Sequence, residues 1–363
     1  MIAQALVVRK SSPRSLAAAV LLSALAAGVA LPLQSAQAQD AVADFYKGKQ
    51  MKFVIRSAGG GGYDLYSRLI AFNIVKHIPG NPSMLPQNMP GAGGITAANY
   101  VATIAPHDGT VLTMISQALP MDQSLGFTPT FTADLRTFGW IGNLGDSNVL
   151  TYTWHTSPVK TMEDAKKYET TIGATGAGSA TSWLPAVYNT VLGTKFKIIN
   201  GYKSGSEVKL AMDRGEVQGY AANPWAALMS ASPDLVRDHK ISILVQVGTK
   251  RERDLPDVPL LSELANDPEG KAVLEFICKA FAVGRPIGTS PGVPPERLAA
   301  LRKAFDDTLV DPVFLAEAAK AGAELKPMNG ADMQTLINDV MSAPDDIKKK
   351  VKAVLPDRSG SSD

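Results

Sequence analysis

The chain has 363 residues, of which 45% are hydrophobic and 19% are charged, a composition that excludes a disordered chain and leaves room for two domains. Its 36 lysines and arginines nearly balance its 34 aspartates and glutamates, so neither nucleic acid nor a membrane surface is indicated as a partner. The single cysteine, Cys278, excludes a disulfide framework, and its position in an apolar run predicts a buried thiol.

The N-terminal segment differs in kind from the rest of the chain. Basic residues precede the apolar stretch Leu16 to Leu33, and Ala36-Gln37-Ala38 then supplies the small-x-small pattern of a signal peptidase site. We therefore expect a signal peptide over 1–38, cleaved near Ala38, and a mature protein in the periplasm. A retained membrane helix is the alternative, but glycine, serine and proline dilute the apolar stretch.

The mature sequence is organised around four consecutive glycines, Gly59 to Gly62. Lys52 to Ser57 predicts a strand before them, and the spacing after them predicts a helix with its apolar face at Leu65, Leu69, Phe72 and Val75. A strand that stops at glycines and restarts as a helix gathers unpaired N–H groups where the helix dipole favours negative charge. The turn therefore predicts a small-anion site, with a purely structural turn as the alternative; nucleotide motifs do not match. Arg56 and Tyr63 flank this turn, and each is placed to reach a ligand or to stay in solvent.

The residues after this helix predict an α/β domain. A short extended piece at Met84-Leu85, a helix from Ile95 to Ile104 and a strand from Thr110 to Ile115 follow with short connections, as in a parallel sheet covered by helices. Ser116 and Gln117 come directly after this strand. They are therefore predicted at the carboxyl edge of the sheet, beside the glycine turn.

The middle of the chain repeats this arrangement. Thr170 to Ala174 predicts a strand and Trp183 to Leu192 a helix, and the loop between them, 175–182, consists of glycine, alanine, serine and threonine. This loop predicts a second anion site at a helix start. Asn223 follows the predicted strand Val217 to Ala221, which places it at the ligand-facing edge as well.

Two crossings are expected to divide the chain into domains. The first lies near Val149 to Trp154, and the second lies near Ala280 to Gly284, after which helical patterns dominate. We therefore assign 39–150 with 284–363 to domain 1, and 151–283 to domain 2.

Motifs for catalysis and metal binding are missing from the sequence. The histidines are scattered, with no i, i+4 pair and no H-E-x-x-H motif, so no ligand set for a metal is indicated. No G-x-S-x-G elbow occurs, and the nearest serine, Ser179, has no obvious base beside it in sequence. These absences favour a binding protein over an enzyme and leave an exported hydrolase as the alternative.

Six segments of the mature chain match the motifs of a known family. They are FVIRSAGGGGYDLYSRL at 53–69, QNMPGAGGITAANYVATIAPHDGTVL at 87–112, GATGAGSATS at 173–182, GYKSGSEVKLAMDRGEVQG at 201–219, DVPLLSELA at 257–265, and the block from PPERLAALRKAF to DPVFL at 294–315. Together they resemble the extracytoplasmic solute receptors of tripartite tricarboxylate transporters, often called Bug-type receptors. The Pro-Gly-Ala-Gly-Gly and Gly-Tyr-Lys-x-Gly elements, in that order, make the resemblance specific.

The resemblance implies a periplasmic protein with a Venus-flytrap fold, in which two α/β domains, each a mostly parallel sheet flanked by helices, close over a small organic carboxylate. It implies delivery of this ligand to the transporter membrane subunits; no cofactor, metal or nucleic acid is expected, and we expect a monomer. In the family, N–H groups and hydroxyls of the first glycine loop and of the second-domain loop hold the carboxylate. The ligand-binding residues expected here are Gly61, Gly62, Tyr63, Ser116, Gln117, Thr175, Gly178, Ser179, Tyr202 and Asn223.

Three departures from the family pattern alter the expected pocket. Arg56 to Gly59 stand where prolines and an aromatic residue are common, and Ser182 stands where a histidine is frequent. Ala222 stands where many members carry an acidic residue that suits an ammonium group. We therefore expect a carboxylate without an ammonium group, either a dicarboxylate or an aromatic acid. A sensor or adaptor that presents the ligand to a signalling protein is the alternative function.

Overall fold

A computed structural model describes residues 40–60, 62–145, 148–175, 179–202 and 204–355. The predicted signal peptide and the predicted ligand residues Gly61 and Gly178 lie outside the described residues. No helix among the described residues combines the length and the apolar character that crossing a bilayer would require.

Helices and strands alternate along most of the described chain. In order they are α1 (40–46), β1 (Gln50–Ile55), α2 (Gly62–Ile74), β2 (Ser83–Asn88), α3 (Ile95–Thr103), β3 (Val111–Met114), α4 (Leu119–Ser124), β4 (Gly139–Asn143), β5 (Val149–Trp154), α5 (Met162–Lys167), β6 (Thr170–Ala174), α6 (Ala180–Leu192), β7 (Phe196–Asn200), α7 (Gly205–Asp213), β8 (Gly219–Pro224), α8 (Trp225–Ala231), α9 (Asp234–Arg237), β9 (Ile241–Val247), α10 (Pro268–Phe281), β10 (Pro286–Thr289), α11 (Pro295–Leu309), α12 (Pro312–Lys320), β11 (Met328–Asn329), α13 (Gly330–Met341) and α14 (Asp345–Val354).

The strands form two separate sheets. The first has the order β11-β4-β10-β3-β1-β2, and the second has the order β7-β6-β8-β5-β9. In the first sheet β1 to β4 share one direction and β10 and β11 oppose it; in the second, only β5 opposes the other four strands. Most strands of each sheet share one direction, but three of the five neighbouring pairs in the first sheet and two of the four in the second are antiparallel, so both sheets are mixed. The predicted two-domain α/β fold is confirmed, and its sheets are less parallel than expected.

The buried face of α2 differs from the predicted one. Leu65 and Phe72 were expected inside, but their side chains are 41% and 53% exposed. Tyr66, Ile70 and Ile74 face the core of the first sheet instead. The prediction was right for Leu69 and Val75, which belong to or pack against this core, and wrong for Leu65 and Phe72. The reason is that α2 is apolar on two sides, and its contacts with β1, α11 and α12 select which side is buried.

The second sheet has its own core, to which the end of the chain contributes. Cys278 on α10 is buried there as predicted, and burial raises the pKa of its thiol to about 11. Val351 and Leu355, on and just after α14, are buried in the same cluster as Trp183 of α6. The last helix therefore packs on the elements of the second sheet, although α13 before it packs against β4 of the first.

Candidate functional site

The loops that follow β1, β2 and β3 meet at one edge of the first sheet, because these three strands are parallel neighbours. Arg56 follows β1, the loop Met89 to Gly94 follows β2, and Ser116 and Gln117 follow β3. Gly62 begins α2 at this same edge. The predicted first-domain residues that the structure describes are thus brought together.

Arg56, Tyr63 and Gln117 form a connected group at this edge. The guanidinium carbon of Arg56 lies 4.2 Å from the ring centroid of Tyr63, and its Nη2 donates a hydrogen bond of 2.9 Å to the carbonyl of Gly93. The phenol oxygen of Tyr63 accepts a hydrogen bond of 3.1 Å from the Gln117 N–H. Three separate loops are therefore joined, whereas the hydroxyl of Ser116 accepts only locally, from the N–H two residues later.

The start of α2 holds a carboxylate of its own, Asp64. It accepts hydrogen bonds from the Gly60 N–H at 3.0 Å, from Arg68 Nε at 2.9 Å and from Asn88 Nδ2 at 2.8 Å. The hydrogen bond from Arg68, with those from Gly60 and Asn88, lowers the pKa of Asp64 to about 2. Asp64 thus takes one N–H donor of the glycine turn, and an incoming anion needs further donors or a cation.

The second polar loop is organised by three hydroxyl groups. The Thr175 hydroxyl donates to Ser179 Oγ at 3.1 Å, and Ser179 Oγ lies 2.5 Å from Thr181 Oγ1. The Thr175 N–H donates to Thr181 Oγ1 at 3.0 Å. We call Thr175, Ser179 and Thr181 the hydroxyl cluster. Thr181 was missing from the predicted site, although its place in the hydroxyl-rich loop was a signal that could have included it.

Asn223 lies at the carboxyl end of β8 but is buried. Its Nδ2 donates a hydrogen bond of 3.0 Å to the hydroxyl of Tyr152, and only 7% of Asn223 is exposed. The residue before it, Ala222, has a φ of +56°, which is strained for a residue other than glycine. This part of the edge is therefore rigid and offers a methyl group at position 222.

Tyr202 lies at the same edge of the second sheet as the hydroxyl cluster. Its N–H donates a hydrogen bond of 3.3 Å to the carbonyl of Ala174, the residue before Thr175. A Cβ built on Gly173 would be 3.3 Å from the Tyr202 Cε2 and 2.6 Å from Val208 of α7, so the ring packs between the second sheet and α7. Burial, with a smaller contribution from Glu216, raises the pKa of the Tyr202 phenol.

A small apolar cavity of about 40 Å³ lies between the residues after β3 and the end of α10. Gln117, Ala118 and Met121 line it from the first-sheet side, and Ala280 and Phe281 line it from the end of α10. The ring centroid of Phe281 is 5.7 Å from that of Trp183 on α6, the helix that follows the hydroxyl cluster. The residues after β3 therefore face the end of α10, and α10 in turn contacts α6.

The two crossings between the sheets lie side by side and are bonded together. Asn143 Oδ1 accepts hydrogen bonds from the Gly145 N–H at 2.8 Å and from the Arg285 N–H at 2.9 Å. Arg285 Nη1 donates to the Gly145 carbonyl at 3.1 Å, and its guanidinium lies 4.1 Å from the ring centroid of Tyr66. One asparagine thus couples the first crossing at Gly145 to the second crossing at Arg285.

A polar cavity of about 250 Å³ lies beside these crossings. Buried Glu252, in the loop after β9, pairs with Lys326, which lies just before β11. Glu252 also accepts a hydrogen bond of 2.7 Å from the Asn148 N–H. This ion pair joins the second sheet to the first near the axis about which the two would move.

The chemistry of the hydroxyl cluster is that of a donor group. The Ser179 hydroxyl bonds to Thr175 and Thr181, which are alcohols and do not act as bases. Among the residues that the structure describes, no group of three or more histidine, cysteine, aspartate or glutamate side chains is placed to hold a metal ion.

Comparisons with known proteins agree with this architecture. A protein of Cupriavidus necator described as "UPF0065 protein in gbd 5'region" is 28% identical over 295 residues, which covers 78% of this chain and 82% of that protein. A TctC solute binding protein from Polaromonas superposes with a TM-score of 0.64 at 18% identity, over 85% of this chain and 98% of that one. MatC from Rhodopseudomonas palustris with bound malate gives a TM-score of 0.54 at 20% identity, over 83% of this chain and 99% of that one.

The structural likenesses show a shared fold, and the family is established by sequence. The sequence model described as "Tripartite tricarboxylate transporter family receptor" matches residues 67–352. This match begins within α2 and covers every strand of both sheets except β1, together with both crossings and the hydroxyl cluster. The chain therefore belongs to the family of tripartite tricarboxylate transporter receptors.

Proposed function

We propose that the protein is a periplasmic receptor that captures a small organic carboxylate between its two sheets and delivers it to the membrane subunits of a tripartite tricarboxylate-type transporter. The observation that carries the proposal is that each sheet has a group of polar donors beyond the carboxyl ends of its parallel strands. Arg56 with Tyr63 lies on the first-sheet side, and the hydroxyl cluster lies on the second-sheet side.

A carboxylate suits these donors. Hydroxyl and backbone N–H groups aimed at a carboxylate form charge-assisted hydrogen bonds, which are about twice as strong as neutral ones. We propose that the N–H groups of Gly61, Gly62 and Gly178 complete the set contributed by Tyr63 and Ser179. In this function Ser179 donates to the ligand and is not a nucleophile.

The proposed ligand has no ammonium group and is a dicarboxylate or an aromatic acid. An ammonium group needs a nearby carboxylate, whereas position 222 offers a methyl group and Asn223 Nδ2 already donates to Tyr152. Phe281 and Met121 supply an apolar wall for a hydrocarbon body. The solved structure of MatC holds malate, a dicarboxylate.

Export, domain division and assembly belong to the same proposal. We propose that the segment 1–38 is removed near Ala38, and that 39–150 with 284–363 and 151–283 act as two domains of a monomer, with α14 of the first domain packed across onto the second. N-terminal sequencing of the protein from a periplasmic fraction tests the first point. A first residue near Gln39 is expected, and an intact Met1 would contradict it.

A thermal-shift panel tests the proposed ligand class. Dicarboxylates, aromatic acids, amino acids and sugars are compared, and an acid at about 100 times its Kd should stabilise the protein by roughly 2.7 kcal/mol. Stabilisation by an acid from the first two groups is the expected result. Stabilisation by amino acids or sugars alone would overturn the proposal.

A further inference from the structure

Arg56 is a cation held in place at the cleft edge of the first sheet. Nη2 donates to the Gly93 carbonyl, and the guanidinium lies over the ring of Tyr63. Its Nε is buried and has no hydrogen-bond partner among the described residues, and no acidic side chain in that part of the chain forms an ion pair with it. A guanidinium carries five N–H donors, so most of its bonding capacity is left for another group.

A second orphaned atom lies next to it in the chain. The Oγ of Ser57 is buried and also lacks a hydrogen-bond partner within the described residues. Buried polar atoms in folded proteins are normally bonded, so two adjacent exceptions need an explanation. A carboxylate is an acceptor that suits both a guanidinium and a hydroxyl.

The neighbouring loop is shaped to fit the Arg56 side chain. Gly94 has a φ of +103°, and a Cβ built there would lie 2.6 Å from Arg56 Nε. Glycine at this position therefore lets the β2–α3 loop close over the guanidinium. Together with the stacking on Tyr63, this fixes the cation in one position, as expected for a binding residue and not for a solvated arginine.

The charges around the glycine turn explain why a cation is needed. Asp64 occupies the Gly60 N–H and brings a negative charge to the start of α2, and Arg68 pairs with that charge. A ligand carboxylate at this edge would lie near the negative charge of Asp64, and Arg68 is already paired with that charge. The ligand therefore needs a separate cation. The hydroxyl cluster on the opposite edge consists of neutral donors, which can bind a second carboxylate without adding charge.

We infer that Arg56 is the specificity-determining residue of the cleft, binding one carboxylate of a dicarboxylate whose other carboxylate reaches the hydroxyl cluster. This inference rests on the proposed receptor function and narrows its ligand to acids with two anionic groups. A monocarboxylate of the same length satisfies only one of the two donor groups, so it binds more weakly.

Calorimetry with matched acids tests the inference. The wild type, Arg56→Gln and Arg56→Lys are titrated with unbranched α,ω-dicarboxylates of four to eight carbons and with the monocarboxylates of the same lengths. Arg56→Gln should weaken binding of the best dicarboxylate about 10- to 100-fold, since a charge-assisted hydrogen bond is lost, and should change monocarboxylate binding little. Arg56→Lys keeps the positive charge, so its affinity for the dicarboxylate should lie between those of the wild type and Arg56→Gln.

The control is Arg214→Gln, which removes one positive charge at a side chain that is 61% exposed and belongs to the second domain. Its affinities should equal those of the wild type, and melting curves confirm that each variant is folded. Equal weakening of both acid classes by Arg56→Gln, or no weakening, would overturn the role of Arg56 while leaving the receptor function standing. A wild type that binds no organic acid would overturn the receptor function and this inference together.

Discussion

Ser179 holds the N-cap position of α6, yet its hydroxyl does not bond to the helix backbone. Its main-chain carbonyl accepts hydrogen bonds of 3.0 Å from the N–H groups of Ser182 and Trp183. The hydroxyl belongs to the hydroxyl cluster with Thr175 and Thr181. A residue whose side chain is not needed to begin its helix is well placed to bind a ligand.

Ser179→Ala should therefore weaken acid binding and leave folding nearly unchanged. The loss of one hydrogen bond to a charged group is expected to cost about 1.5–3 kcal/mol of binding free energy. Calorimetry measures the affinity and thermal melting measures the stability. Ser204→Ala is the matched control, because the Ser204 hydroxyl caps α7 by accepting a hydrogen bond from the Glu207 N–H. That variant should lose about 1 kcal/mol of stability and no affinity. The opposite pattern would make Ser179 a helix cap only.

The lowered pKa of Asp64 predicts how the free energy of unfolding changes as the pH falls. Its pKa in the folded protein, about 2, is below the ordinary value of 3.8, so its stabilising effect is present above about pH 4 and is lost as the pH falls towards 2. Because the Arg68 side chain is 39% exposed, solvent screening limits the expected loss to about 1 kcal/mol. Urea unfolding between pH 5 and pH 2 measures this loss of stability. The control is Asp64→Asn, which has no titrating carboxyl group at this position. Parallel curves for the two proteins would contradict the assignment.

The sequence predicts the positions of some of the expected site residues and not of others, for a physical reason. The proximity of Tyr63 and Gln117 follows from strand direction alone, because parallel neighbouring strands end at one edge. The bond of Arg56 to Gly93 depends on the approach of two loops 37 residues apart, and its stacking on Tyr63 depends on side-chain conformations. The direction of the Tyr202 ring depends on how α7 packs, which no local pattern encodes.

Among the elements, strands with local signals were predictable and β10 was not. Thr170–Ala174 has the predicted bounds, since its β-branched residues end at a loop of small residues. The sequence pattern predicts no strand at Pro286–Thr289, yet it lies between β3 and β4 in the first sheet and opposes both. Its four residues include a proline and a glycine, so only long-range pairing identifies it as a strand.

The loop between β2 and α3 offers a test of how one element positions another. Gly93 and Gly94 both have positive φ, +63° and +103°, but a Cβ on Gly93 meets nothing within 4 Å. Gly93→Ala should cost about 1 kcal/mol of stability from the backbone alone. Gly94→Ala should cost about 1–3 kcal/mol and should also weaken acid binding, because its Cβ displaces Arg56. Urea unfolding and calorimetry measure both effects. Equal affinities for the two variants would contradict this role of the loop.

For the whole molecule, binding should bring the two sheets closer together. A ligand that contacts both edges has more bonds in the closed arrangement, so it shifts the population towards that arrangement. Small-angle scattering at saturating acid should give a smaller radius of gyration than without ligand, while a sugar that does not bind should leave it unchanged. An identical scattering profile with and without bound acid would exclude hinge closure.

The packing of α14 on the second sheet adds a third link between the two halves of the molecule, through 342–344. A body attached to another at two points can still turn about the line through both points. We expect the third attachment, made through three residues that span roughly 10 Å at full extension, to restrict this rotation. Inserting flexible residues after Ser342 should therefore allow the cleft to open wider.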